Sequence, residues 1–121
     1  MDVSRGSGEV GVGEVLGLAG ELGFSLPRGG YLFLSLGGRV VSVELARYIV
    51  REGLAGLGVD SPSPDREPYP VHRVLLGSGV LIVENLVLPG VVRNKLVDVI
   101  VAPLKIEGAT GSPARVLALL K

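Results

Sequence analysis

The stretch LAGLGVDSPSPDREPYPVHRVLLGSGVLIVENL, residues 54–86, decides the architecture. It opens on a short apolar run, Leu54 to Val59, that ends at Asp60 and is expected to be a buried strand. Ser61-Pro62-Ser63-Pro64-Asp65 comes next. Each proline removes a backbone donor and restricts the residue before it, so neither helix nor central strand can form there. The loop runs on to Pro70, which suits the first turn of a helix. Val71 to Ser78 supplies that helix, with Val71, Val74, Leu75 and Ser78 on one side and His72 and Leu76 beside them. Gly79 ends it, and Val80 to Glu84 reads as a strand. Strand, rigid polar loop, helix and strand in close succession point to an α/β layered domain.

Working outward, the upstream half alternates in the same way. Val12, Val15, Leu16, Ala19 and Leu22 recur at helical spacing. Gly13, Gly17 and Gly20 each weaken that helix by about 1 kcal/mol relative to alanine, so packing must hold it. Tyr31 to Leu36 is a strand, broken by Gly37-Gly38. Ser42 reads as an N-cap and Glu44 favours the first-turn dipole of a second helix. That helix presents Leu45, Ala46, Ile49 and Val50 on one face and stops at Gly53. Downstream, Val97 to Leu104 is a strand with Asp98 its only polar interruption. The tail from Pro113 to Leu120 fits either strand or helix.

Composition bounds the function. A chain of 121 residues with 47% apolar and 20% charged residues is expected to be one globular domain, residues 1–121. Twelve Lys and Arg balance twelve Asp and Glu, which argues against a nucleic-acid binder built on bulk positive charge. No cysteine is present, so disulfides, thiolate metal sites and cysteine nucleophiles are excluded. Mean hydropathy is high, +0.51. Yet apolar runs such as Val80 to Val83 and Val99 to Leu104 fall far short of the ~20 residues a membrane span requires. The polar start, Met1-Asp2-Val3-Ser4, resembles neither a signal nor a transit peptide, so a soluble cytoplasmic protein without membrane partners is expected. Zero net charge with high hydropathy predicts association with another chain or copy.

Three places can carry chemistry, and each has a plain structural alternative. Asp60 to Asp65 is a polar loop at the end of a strand, where α/β folds gather ligands; an Asx- or Ser-stabilised turn is the commoner account of such a segment. His72 is the sole histidine, either an ordinary hydrogen-bonded ring or a ligand or base. Glu84 ends an apolar strand and must be solvated, paired or metal-bound. A histidine and a carboxylate from different elements can form two corners of a metal site, but zinc normally takes three protein ligands in a catalytic site. The dinucleotide, phosphate-loop and nucleophile-elbow patterns are missing, and the aromatic residues are too scattered for a base-stacking platform.

Three blocks, in order, resemble the cyclase family of metal-dependent hydrolases, which includes bacterial kynurenine formamidase. They are Gly58 to Asp65; Pro70-Val71-His72-Arg73-Val74-Leu75-Leu76 with Val80 to Leu86; and Ala102-Pro103-Leu104-Lys105-Ile106-Glu107-Gly108 with Gly111 to Arg115. Asp2 to Ser4, Gly30 to Leu34 and Ser42 to Gly53 resemble the family's equivalent upstream segments. The resemblance implies a swivelling β/β/α fold with a central mixed sheet flanked by helices. It implies a divalent metal, zinc or manganese, that activates water for attack on the carbonyl of a small amide or ester substrate. It implies that His72 and Glu84 are metal ligands and that Asp60, Ser61 and Asp65 belong to a loop beside the site.

One departure is large. The family's main metal motif, H-x-G-T-H-x-D-x-P-x-H, has no counterpart here. The domain is therefore expected to be N-terminally incomplete. The chain then reads as a fragment, as one subunit of a split enzyme, or as a non-catalytic interaction module that keeps the fold. The leading expectation is an arylformamidase-like hydrolase chain whose missing ligands come from a further segment, a partner chain or a homo-oligomer.

Overall fold

Helices separate the first three strands, and this spacing dictates parallel pairing, because a helical crossover returns the chain to the same end of the sheet. The protein, as a computed structural model, is described over residues 1–120. Helix α1 (Val12–Glu21) precedes strand β1 (Tyr31–Leu34); α2 (Val43–Arg51) leads to β2 (Gly56–Val59), and α3 (Pro70–Gly77) to β3 (Leu81–Val83). A short 3-10 turn (Gly90–Val92) then precedes β4 (Asp98–Pro103) and β5 (Ala114–Leu119). The sheet runs β1-β2-β3, all parallel, with Phe33 opposite Gly58 and Gly58 opposite Val83. The amino-terminal residues extend along β1, with a parallel bridge from Asp2 to Ser35.

The two faces of this sheet differ. Leu32, Leu34, Leu57 and Val59 are buried in one cluster with Val15 of α1, Leu45, Ala46 and Ile49 of α2, and Val71 and Leu75 of α3. The face of α2 read from the sequence is thus the face it buries. Its expected cap is present too, with the Leu45 N–H donating to Ser42 Oγ at 3.1 Å. The opposite face carries Tyr31 and Phe33, stacked with ring centroids 5.7 Å apart. Their rings lie over Gly56 and Gly58. A β-carbon at either glycine would come within 2.2 Å of a ring carbon. Glycine is therefore required for the aromatic pair to lie flat on the sheet.

Strands β4 and β5 form a separate antiparallel pair, with Ile100 opposite Leu117 and Val101 opposite Val116. The ambiguity of residues 113–120 resolves to strand because that segment pairs along the whole of β4. Val97 to Leu104 is a strand as expected, but one that leaves its side chains half-buried or exposed. The α/β class is as expected, with parallel and antiparallel pairings housed in two sheets among the described residues. Among those residues, no helix is long and apolar enough to cross a membrane.

Candidate metal site

Two sequence features bring His72 and Glu84 together. Pro70 starts α3 and places His72 in its first turn. β3 pairs with β2 and delivers Glu84 directly after its last residue, Val83. The Nε2 atom of His72 lies 3.2 Å from Glu84 Oε1. The other ring nitrogen, Nδ1, lies 2.6 Å from Asp65 Oδ1. Side-chain exposure is 26% for His72 and 33% for Glu84, against 4% for Asp65. Tyr69, in the left-handed conformation at the cap of α3, meets the imidazole edge-on at 5.6 Å between ring centroids.

The Asp65 carboxylate has three further contacts. Its Oδ2 accepts from the main-chain N–H of Val71 at 2.7 Å and of His72 at 3.3 Å, and Ser63 Oγ approaches Oδ1 at 3.4 Å. It therefore caps α3 at a distance while reaching the ring. Sequence reasoning placed Asp65 in a loop beside the site without a role. The available signal was a carboxylate six residues ahead of Val71, at the mouth of a helix whose cap position is Tyr69.

Asp60 and Ser61 stand apart from this cluster in their bonding. Asp60 accepts from Ser35 Oγ at 2.5 Å and from the Leu36 N–H at 2.8 Å, tying the end of β2 to the end of β1. Ser61 Oγ donates to the Ser63 carbonyl at 2.7 Å, and the Ser61 carbonyl accepts from the Asn85 N–H at 2.9 Å. These contacts shape the loop, as an Asx- or Ser-stabilised turn does.

His72 and Glu84 both line a cleft of about 1690 Å³. Its walls are the aromatic face of the sheet (Tyr31, Phe33, Val83), most of the segment from Asn85 to Val97, and the inner face of the β4–β5 pair (Val99, Val101, Val116). Small-molecule sites usually span about 300–1,000 Å³, so the cleft has room for more than a substrate.

The donor set fits half of a divalent-ion site. A neutral imidazole carries one N–H, so it cannot donate to both Asp65 and Glu84. With one ring N–H given to Asp65, the approach of Nε2 to Glu84 at 3.2 Å calls for a further proton, on the ring or on the carboxyl, or for a cation held by both groups. Imidazole nitrogen with carboxylate oxygen is a pair that zinc and manganese accept. Among the described residues, no three or more histidine or acidic side chains are grouped to hold a metal ion. Asp65 stands on the far side of the ring from Glu84, which leaves Nε2 and Oε1 as the only two of these atoms turned to one point.

No family model matches the chain, and no curated protein matches it. Solved structures do. One, described as a potential metal-dependent hydrolase with cyclase activity, has a TM-score of 0.79 and 23% identity over 98% of this chain. A second, described as a predicted metal-dependent hydrolase from Bacillus stearothermophilus, has a TM-score of 0.76 and 22% identity, again over 98%. A third, described as a novel cyclase, has a TM-score of 0.82 and 22% identity over 91%. The chain spans 61%, 60% and 45% of those three chains respectively. At these identities the likeness is one of fold, and this chain shares the fold of those three chains over 45–61% of their length.

Proposed function

We propose that this chain is one portion of a cyclase-type metal-dependent hydrolase that acts on a small amide or ester, of the arylformamide kind. The observation that carries the reading is the approach of His72 Nε2 to Glu84 Oε1 at the edge of the cleft. His72 and Glu84 would hold a divalent ion, zinc or manganese, whose remaining ligands come from polypeptide beyond these residues. The ion would supply an acidified water and a Lewis acid for the carbonyl oxygen. His72 contributes a nitrogen lone pair, and Glu84 a negative charge that offsets the ion. Tyr31 and Phe33 offer a flat apolar wall for the aryl part of a substrate, and keep water from that side.

The first measurement is metal content of the purified chain beside a His72→Ala variant, with N-formyl aryl amides as substrates. A divalent ion that binds the chain and is lost in the variant supports the reading. Hydrolysis that appears when a polypeptide carrying further metal ligands is supplied, and is unaffected by His72→Ala, overturns it.

A second reading has its own observation. Ile100, Leu117, Leu119 and Val87 are exposed large apolar side chains. Surfaces of this kind mark interaction sites. On that reading the chain is a non-catalytic module, and it associates without metal even when His72 and Glu84 are both replaced by alanine.

A further inference from the structure

We infer that Asp65 is a positioning residue that holds the ring proton of His72 on Nδ1, leaving the lone pair of Nε2 directed toward Glu84 and the cleft. The use of that lone pair for metal rests on the reading above; the placement of the proton does not.

The imidazole stands between two carboxylates that compete for one proton. Asp65 Oδ1 is 2.6 Å from Nδ1, a short charge-assisted hydrogen-bond distance, whereas Glu84 Oε1 is 3.2 Å from Nε2. The two acceptors also differ in surroundings. Asp65 is 4% exposed and so has little access to solvent to replace a lost donor, while Glu84, at 33%, is far more open. An unsatisfied buried carboxylate is much the costlier of the two. The proton therefore belongs to Nδ1.

Asp65 is itself immobilised. Its Oδ2 is held by the Val71 and His72 N–H groups at the start of α3, and the same helix carries the ring. Carboxylate and imidazole are thus tied to one rigid element, and the ring orientation follows from the helix. Ligating histidines commonly donate their other ring N–H to a carboxylate, which sets the tautomer and raises ligand basicity.

The test uses the single histidine of the chain, whose two ring nitrogens are the only imidazole signals in a 15N-labelled sample. In the neutral ring, which carries one proton, that proton is expected on Nδ1. A proton on Nε2 overturns the inference. Asp65→Asn supplies the second arm. Its carbonyl oxygen can keep the helix N–H groups, and its amide then points a donor at Nδ1, so the ring proton is expected to move to Nε2. A purely structural cap predicts no such move, and an unchanged tautomer in a folded Asp65→Asn chain overturns the inference.

Zinc reports separately. It is expected to perturb the Nε2 signal of the unmodified chain and to bind the variant roughly 10–100-fold more weakly. A zinc-insensitive ring with its proton on Nδ1 would overturn the metal reading and leave the role of Asp65 in place.

Discussion

Arg39 shows how much of the fold hangs on one side chain. Its guanidinium donates to the carbonyls of Val3, Ser7, Gly8 and Glu9 and pairs with both oxygens of Glu14. It thereby fastens the amino-terminal loop to α1. Arg39→Ala is expected to lower stability by roughly 2 kcal/mol or more, read from denaturant midpoints, since hydrogen bonds from a charged donor are the strong ones. The Arg39 hydrogen bond holds the Glu14 carboxyl below its ordinary value. Its contribution is then fully present above the usual carboxylate range, near about 4.3, and is lost as pH falls through the lower folded value. Glu14→Gln should accordingly flatten the acid limb of a stability profile measured from pH 7 to pH 3. The effect is small, because Glu14 is exposed and screened. Neither contact was legible in the sequence: Glu14 and Arg39 lie 25 positions apart, and no local pattern joins them. His72 and Glu84 were legible only as residue types in the right order; their 3.2 Å approach comes from α3 and β3 meeting in space.

At the scale of elements, local chemistry was a good guide wherever one face is buried. α2 shows this best, since cap, first-turn acid and apolar stripe all agree with the structure. Ser42→Ala is expected to cost about 1 kcal/mol, seen as a shift in the thermal midpoint, through loss of the bond to the Leu45 N–H. In β2 the two glycines, Gly56 and Gly58, are what lets Tyr31 and Phe33 lie across the sheet. Gly58→Ala should destabilise by roughly 1–3 kcal/mol, because its β-carbon meets both Phe33 and the side chain of Leu86, and the aromatic stack must shift. A circular dichroism melt of Gly58→Ala beside Gly17→Ala checks the cause. Gly17 has open space around its β-carbon position and lies within α1, so its alanine variant should gain stability. The residues of β5 were ambiguous for the opposite reason. Their apolar pattern satisfies a helix or a strand equally, and only the long-range pairing with β4 decides.

At the scale of the whole molecule, apolar surface is unevenly shared. The helical face of the parallel sheet is closed, while the other face looks across a wide cleft to a β4–β5 pair with apolar side chains on both of its sides. Parallel sheets are ordinarily covered on both faces. The fold neighbours are longer chains, and this one spans 61% or less of the three compared. We propose that the chain associates through the outer side of β4–β5, where Ile100, Leu117 and Leu119 are exposed. Replacing the cross-strand pair Ile100 and Leu117 together, as Ile100→Lys with Leu117→Glu, keeps a complementary pair in register while removing the apolar patch. Light scattering should show self-association of the parent chain in the micromolar range and a shift to monomer in the double variant. An unchanged mass would place the contact elsewhere. The sequence by itself determined the α/β class and the cap and apolar face of α2, because those follow from local periodicity and turn chemistry. Only the tertiary structure decided that Asp65 and Glu84 flank one imidazole, that aromatic rings lie over glycines, and that the last two strands leave the parallel sheet, because each depends on contacts between segments whose separation along the chain carries no local signal.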